Sequence, residues 1–179
     1  MTGVRVFDPG NPREFRTVLA RFATGVAVVT AAAGDGQAVG MTVNSFSAVS
    51  LDPPLVLFCV NRASQLHPVF AGAEAFAVHI LAQAQLPLSR RFARPGLDRF
   101  GGVRVGAGRQ GVPLLDEGVL AVLECLGERT VPAGDHDIVL GRVERAVLSP
   151  YADADPLIYY GGAYRSLVSG ADDWATAVQ

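Results

Sequence analysis

The run VLAVLECLGERTVPAGDHDIVLGRVERAVL, residues 119–148, reads as two strand-like stretches on either side of a turn at 132–135. Val, Ile, Leu and Thr crowd both halves, as suits a pleated, half-buried surface, and Pro132, Gly134 and Asp135 supply turn chemistry. Strands joined by so short a turn pair antiparallel. A second hairpin stands nearer the N-terminus, where VAVVTAAA (26–33), the Asp-Gly turn GDGQ (34–37) and AVGMTV (38–43) follow one another. Further strands are expected over 55–60, 75–81 and in PLIYY at 156–160. Asn11, Pro12 and Glu14 announce a helix carrying Phe15, Val18, Leu19 and Phe22, closed at Gly25. Shorter helices are expected at 64–70 and 83–93, and 94–112 reads as a long Gly- and Arg-rich loop. With no strand–helix alternation, the pattern argues against a parallel α/β sheet. It predicts a mainly β protein, an antiparallel barrel with a few short helices.

Composition bounds the rest. The 179 residues are half hydrophobic and only 18% charged, enough for one domain with a substantial core. That domain is expected over 11–168, with an extension at 1–10 and a tail at 169–179 in which Trp174 is a docking point. A net charge of −2 gives no electrostatic reason to expect nucleic acid or an anionic membrane as partner. No apolar run approaches the roughly 20 residues of a membrane span, and MTGVRVFDPGNPREF lacks a signal-peptide core. A cytoplasmic protein with reduced Cys59 and Cys125 is the expectation.

GMTVNSFSAVSLDPP, residues 40–54, interleaves Thr42, Asn44, Ser45, Ser47 and Ser50 with Met41, Val43, Phe46 and Val49. A buried polar group without a partner costs about 1–3 kcal/mol, so a core strand would not carry so many. The segment reads as a surface half packed and half turned toward a polar ligand. At Gly134-Asp135-His136 the two flanking aspartates, Asp135 and Asp137, favour a cationic imidazole facing a pocket. A plain hairpin turn with a surface histidine fits those residues equally well.

Other motifs fail on context. Gly106, Gly108 and Gly111 spell G-x-G-x-x-G, but no helix pattern opens where a pyrophosphate needs one. His67, His79 and His136 lack metal-ligand spacing, and no metal is expected. No G-x-S-x-G elbow is present.

Six landmarks in order resemble the short-chain flavin reductases: FATGVAVVTA, GMTVNSFSAVSLDPPLVLFCVN, FAVHILAQAQLPLSRRFA, GVPLLDEGVLAVLECL, GDHDIVLGRV and PLIYYGGAYRSL. The resemblance implies a flavin-binding split barrel with Greek-key topology and a homodimer that reduces FMN or FAD with NADH or NADPH. It also implies a separate monooxygenase that receives the reduced flavin. By the same resemblance, Thr42, Val43, Asn44 and Ser45 lie along the isoalloxazine. Ser47, Val49 and Ser50 then lie near the ribityl and phosphate groups, and Cys59, Val60, Asn61 and Ser64 border the flavin. Ser89, Arg90 and Arg91 match a segment with phosphate contacts, which suits the planar guanidinium fork, with either arginine facing inward. His136 matches a histidine near the nicotinamide and is the one candidate for a catalytic role. Tyr160, Tyr164 and Arg165 border the same pocket, although Tyr159 and Tyr160 also suit alternating strand positions. His79 stands where the family usually has Asn, either as a flavin contact or as a satisfied core histidine. Two other functions stay open on the residues: a flavin carrier or store, and an oxidase-like split-barrel protein.

Overall fold

The computed structural model describes residues 3–167, so Trp174 and the expected tail lie outside the described residues. Helix α1 (Pro12–Leu19) starts as expected, with the Asn11 side chain accepting from the Arg13 N–H at 3.1 Å. It stops five residues before Gly25. The Ala20 carbonyl accepts from the Gly161 N–H at 2.9 Å, drawing the chain into β1 (Thr24–Gly25) instead. The first hairpin forms from β2 (Ala27–Ala32) and β3 (Ala38–Val43). The segment after it contributes a strand the sequence reading did not separate, β4 (Ser47–Leu51), which turns through a cis Asp52–Pro53 bond into β5 (Pro54–Asn61).

Next come α2 (His67–Ala71), β6 (Ala75–Ile80) and α3 (Leu86–Ala93), the last preceded by a single 3₁₀ turn. The 94–112 stretch is mostly loop but holds β7 (Val105–Ala107), which pairs with β8 (Pro113–Leu115). Gly106, Gly108 and Gly111 therefore sit in a strand and a tight turn, with no helix behind them. The long hairpin is β9 (Ala121–Ala133) and β10 (His136–Leu148), reversed at Gly134, whose φ of 68° suits a residue without a Cβ. Strands β11 (Ile158–Tyr160) and β12 (Ala163–Arg165) join β1 in a small sheet.

The main sheet runs β3-β2-β6-β9-β10-β5-β4, with antiparallel pairing throughout. In a flat sheet β5 and β6 would stand about 14 Å apart, three strand spacings. Yet the Phe58 and Phe76 rings meet edge to face, with centroids 5.2 Å apart. The sheet is therefore rolled, and its concave face encloses Ala27, Val29, Val43, Val56, Val78 and Val139. Helix α2 adds Phe70 to this core against Phe58. Rolling needs close approaches: a Cβ on Gly141 would overlap the Phe76 ring, and one on Gly127 the Ala73 carbonyl. The convex side of β2 forms a second core, with Val26 and Val28 against Leu81, Phe92, Leu115 and Leu157. This two-sided burial is why β2 reads as an apolar run broken only by Thr30, whose buried hydroxyl donates to the Pro113 carbonyl at 2.5 Å. Among the described residues no helix is long and apolar enough to cross a membrane.

Candidate functional site

A cleft of about 410 Å³ opens where β3 leaves the sheet, walled by the end of β5, the loop after it, the C-terminal end of α3 and the start of β10. Two wider depressions, each about 530 Å³, lie elsewhere. One, beside the β2–β3 turn, offers mostly small apolar side chains and the carboxylate of Glu74. The other, between α3 and residues 102–118, includes Glu117. The 410 Å³ cleft is distinguished by its chemistry: its lining contains no carboxylate.

The odd composition of residues 40–54 follows from their place at a rim. Val43 is largely buried and Phe46 packs against the inner core, while the end of β3 and the loop after it, residues 41–45, line the cleft together, Thr42, Asn44 and Ser45 giving it polar groups. Some of those polar groups already have partners. The Thr42 hydroxyl donates to the Ser89 carbonyl at 2.6 Å, tying β3 to α3. The Ser45 oxygen accepts from the Cys59 N–H at 2.9 Å, which leaves its own proton free to donate into the cleft. Ser64 does likewise, accepting from the Leu66 N–H at 3.2 Å. Asn61 uses its carbonyl oxygen on the Ala63 N–H at 2.7 Å and keeps its NH₂. Cys59 and Asn61 face the cleft and Val60, between them on β5, points into the core at 1% exposure.

His136 opens β10 directly across from Asn61, lines the cleft, and holds Nδ1 2.8 Å from Asp135 Oδ1. Asp137 does not share that environment. As the next strand residue it points the opposite way, where its carboxylate accepts from Arg62 Nε at 2.6 Å and His67 Nε2 at 2.9 Å.

The arginine of the cleft is Arg99, in the loop after α3, a residue the sequence reading passed over. Its Nη1 donates to the Gly40 carbonyl at 3.0 Å and its Nε to the Arg94 carbonyl at 3.1 Å. Partial burial lowers its pKa from the ordinary guanidinium value, yet arginine stays charged at neutral pH. No carboxylate pairs with it among the described residues. Two carbonyls thus fix the guanidinium and leave further N–H groups to a ligand. Val43, an expected contact, lies in the apolar part of the lining, which Met41, Leu66, Phe92, Ala93 and Pro95 complete without having been singled out as contacts. Met41 stood in the quoted segment; the others lie in loop or helix positions without a distinguishing pattern.

Several expected site residues sit elsewhere. Arg91 donates to the Gly101 carbonyl and Arg90 is exposed, 5.9 Å over the Tyr164 ring. Ser89 is fully buried, its Oγ 2.9 Å from the Tyr164 hydroxyl. Tyr160, Tyr164 and Arg165 belong to the small sheet, and Ser47, Val49 and Ser50 to the edge strand β4; none lines the cleft. His79 is a core residue: Nδ1–H donates to the Val28 carbonyl at 3.1 Å and Nε2 accepts from the Leu115 N–H at 3.0 Å. Cys59 and Cys125 are free thiols, and burial pushes Cys125 up to about 12. No metal-binding group of His, Cys, Asp and Glu occurs among the described residues.

A rolled antiparallel sheet whose rim pools O–H, N–H and guanidinium donors around an acid-free cleft has the chemistry to suit electron-rich or anionic ligands. Residues 19–168 match the flavin reductase like domain, and the chain belongs to that family. It is 46% identical to the FMN reductase (NADH) SmoA of Agrobacterium fabrum, over 92% of each chain. It is 41% identical to the reductase component of the flavin-dependent trigonelline monooxygenase of Acinetobacter baylyi, over 90% of this chain and 51% of that one. It thus spans about half the length of that relative. Among solved structures, the Streptomyces globisporus NADH:FAD oxidoreductase SgcE6, in complex with NAD and FAD fragments, superposes with a TM-score of 0.86 at 37% identity. That superposition covers 94% of this chain and 100% of that one. The fold is the family's split barrel.

Proposed function

We propose that this protein transfers hydride from NADH or NADPH to FMN or FAD and passes the reduced flavin to a separate monooxygenase. The observation that carries the reading is the acid-free cleft, where residues 42–45, Arg99 and His136 converge within the family's domain. When bound, the flavin supplies N5 as hydride acceptor, and the cofactors carry the redox chemistry. The chain's own work is to hold the two rings in contact and to stabilise negative charge near flavin N1 and C2=O. The backbone at 42–45 and the Ser45 hydroxyl suit the ring, Asn61 and Ser64 its polar edge, and Arg99 an anionic group. His136, fixed by Asp135, orients the nicotinamide nucleotide and moves no obligatory proton.

Purified protein mixed with each flavin and each nicotinamide should oxidise at least one pair, read at the reduced-nicotinamide absorbance band. No oxidation with any pair defeats the reductase reading, and flavin binding without oxidation would identify a carrier. His136→Ala should raise KM for the nicotinamide about tenfold, the scale of one charge-assisted contact, while flavin affinity changes less than about threefold. An unchanged KM in steady-state kinetics removes His136 from the nicotinamide site.

The reading includes a homodimer working in the cytoplasm. Helix α1 buries no residue, and Phe15, Val18, Leu19 and Phe22 are 45–77% exposed, an apolar stripe that a second copy would cover. Light scattering after size exclusion should give twice the 18.8 kDa chain mass; a monomer at micromolar concentration rejects the dimer.

A further inference from the structure

We infer that Asp137 is a positioning residue: its carboxylate fastens both ends of the 62–67 loop to the strand that begins at His136, and so sets Ser64 relative to Asn61 and His136, which the β5–β10 ladder already holds opposite each other. The inference rests on the reading of that cleft as the ligand site. Asp137 is 6% exposed and does not line the cleft. Oδ1 accepts from Arg62 Nε at 2.6 Å, at the start of the loop, and Oδ2 from His67 Nε2 at 2.9 Å, at its end. A backbone bond from the Arg62 N–H to the Asp135 carbonyl, 3.0 Å, runs alongside.

Between those anchors the loop backbone is held by its own turns, and Leu66 packs against the inner core. The Ser64 N–H donates to the Asn61 carbonyl and the His67 N–H to the Ser64 carbonyl, each at 3.0 Å. Such local turns fix the shape of the loop but not its place relative to β10. The Arg62 N–H and Leu66 contribute to its placement, and the carboxylate is the one side chain on β10 that grips both ends. The hydrogen bonds from His67 first and Arg62 second hold its carboxyl below the usual carboxylate range, so both contacts are made to a full negative charge at neutral pH. Ser64 offers its free donor to the cleft from this loop, beside Asn61 at the end of β5 and His136 at the start of β10. Loosening the clamp therefore misplaces ligand contacts without removing any of them.

The test is Asp137→Asn, which keeps size and one acceptor oxygen but removes the charge and the second acceptor. Thr130→Ala is the control: it deletes the 2.8 Å bond from Thr130 to the Ala71 carbonyl at the other end of α2, away from the cleft. In Asp137→Asn, hydrogen exchange at the amides of Ser64, Leu66 and His67 should quicken at least about tenfold. KM for flavin or nicotinamide should rise about tenfold with kcat changed less than about threefold, as expected for misplaced binding groups. Thr130→Ala should lower Tm without changing exchange in the 62–67 loop or either KM. Unchanged loop exchange in Asp137→Asn overturns the clamp whatever the ligand chemistry. Faster exchange with wild-type KM values overturns the positioning role and leaves the cleft reading standing. A wild-type protein that binds neither flavin nor nicotinamide overturns both.

Discussion

Arg99→Ala is expected to weaken flavin binding about 10- to 100-fold, the loss that goes with hydrogen bonds to a charged group worth roughly 1.5–3 kcal/mol. The guanidinium is anchored before any ligand arrives, by the Gly40 and Arg94 carbonyls, so little side-chain entropy remains to be lost on binding. Its partial burial strengthens attraction to an anion relative to a fully solvated arginine. Arg99→Lys should recover only part of the affinity, since an ammonium keeps the charge and loses the planar fork. Arg90→Ala and Arg91→Ala should each change affinity less than about threefold, since Arg90 is an exposed charge and Arg91 is committed to the Gly101 carbonyl. Titration of FMN and FAD fluorescence against the four variants gives the ranking. A larger loss for Arg91→Ala than for Arg99→Ala would return the anion contact to the arginine pair.

The second large effect falls on stability. His79 is wholly buried with both ring nitrogens bonded, and that arrangement requires the neutral Nδ1–H tautomer, because Nε2 accepts from Leu115. Burial accordingly lowers its pKa from 6.5 to about 4. The sign follows from proton counts. Above about pH 6.5 neither the folded nor the unfolded chain holds the proton, and stability is complete. Between about 6.5 and 4 only the unfolded chain takes it up, so stability falls with pH, by about 3 kcal/mol in all. Asp137 acts in a separate and more acidic window: its lowered pKa contributes stability above the ordinary carboxylate value that is lost as pH falls below it. Urea midpoints measured from pH 7.5 to 4 should show the His79 decline, and His79→Asn should flatten it. His79→Ala should cost about 3–5 kcal/mol at pH 7, through a cavity and two orphaned backbone groups. A flat profile in the unsubstituted protein would mean that His79 stays solvated or charged.

The long hairpin, the first hairpin and the α1 cap were legible because each is written locally. Apolar and β-branched runs of strand length, an Asp-Gly or Gly-Asp turn, and an Asn-Pro start need no distant partner to be understood. Residues 42–45, Cys59, Asn61, Ser64 and His136 line one cleft, a grouping that resemblance suggested and spacing did not. Ser89 and His79 show the opposite case. His79 is a polar residue in an apolar run and Ser89 stands beside two arginines, and each pattern fits a ligand contact and a satisfied core group equally well. Their partners, Tyr164 for one and Val28 and Leu115 for the other, lie 36 to 75 residues away. Helix α1 ended early for a similar reason, since the Gly161 N–H that captures Ala20 comes from the far end of the domain.

Local chemistry alone determined where the chain would run straight, where it would reverse, and that its strands would pair antiparallel. It also marked residues 40–54 as carrying more polar groups than a core strand can hold. Which of those groups face a ligand was decided only when the sheet rolled. Rolling brought Phe58 onto Phe76, set Thr42 against Ser89, and placed the 94–112 loop so that Arg99 meets Gly40. The reason is physical. Backbone propensity and side-chain alternation act over a few residues, whereas the partner that satisfies a buried hydroxyl or leaves a guanidinium free is chosen by packing between segments far apart in the chain.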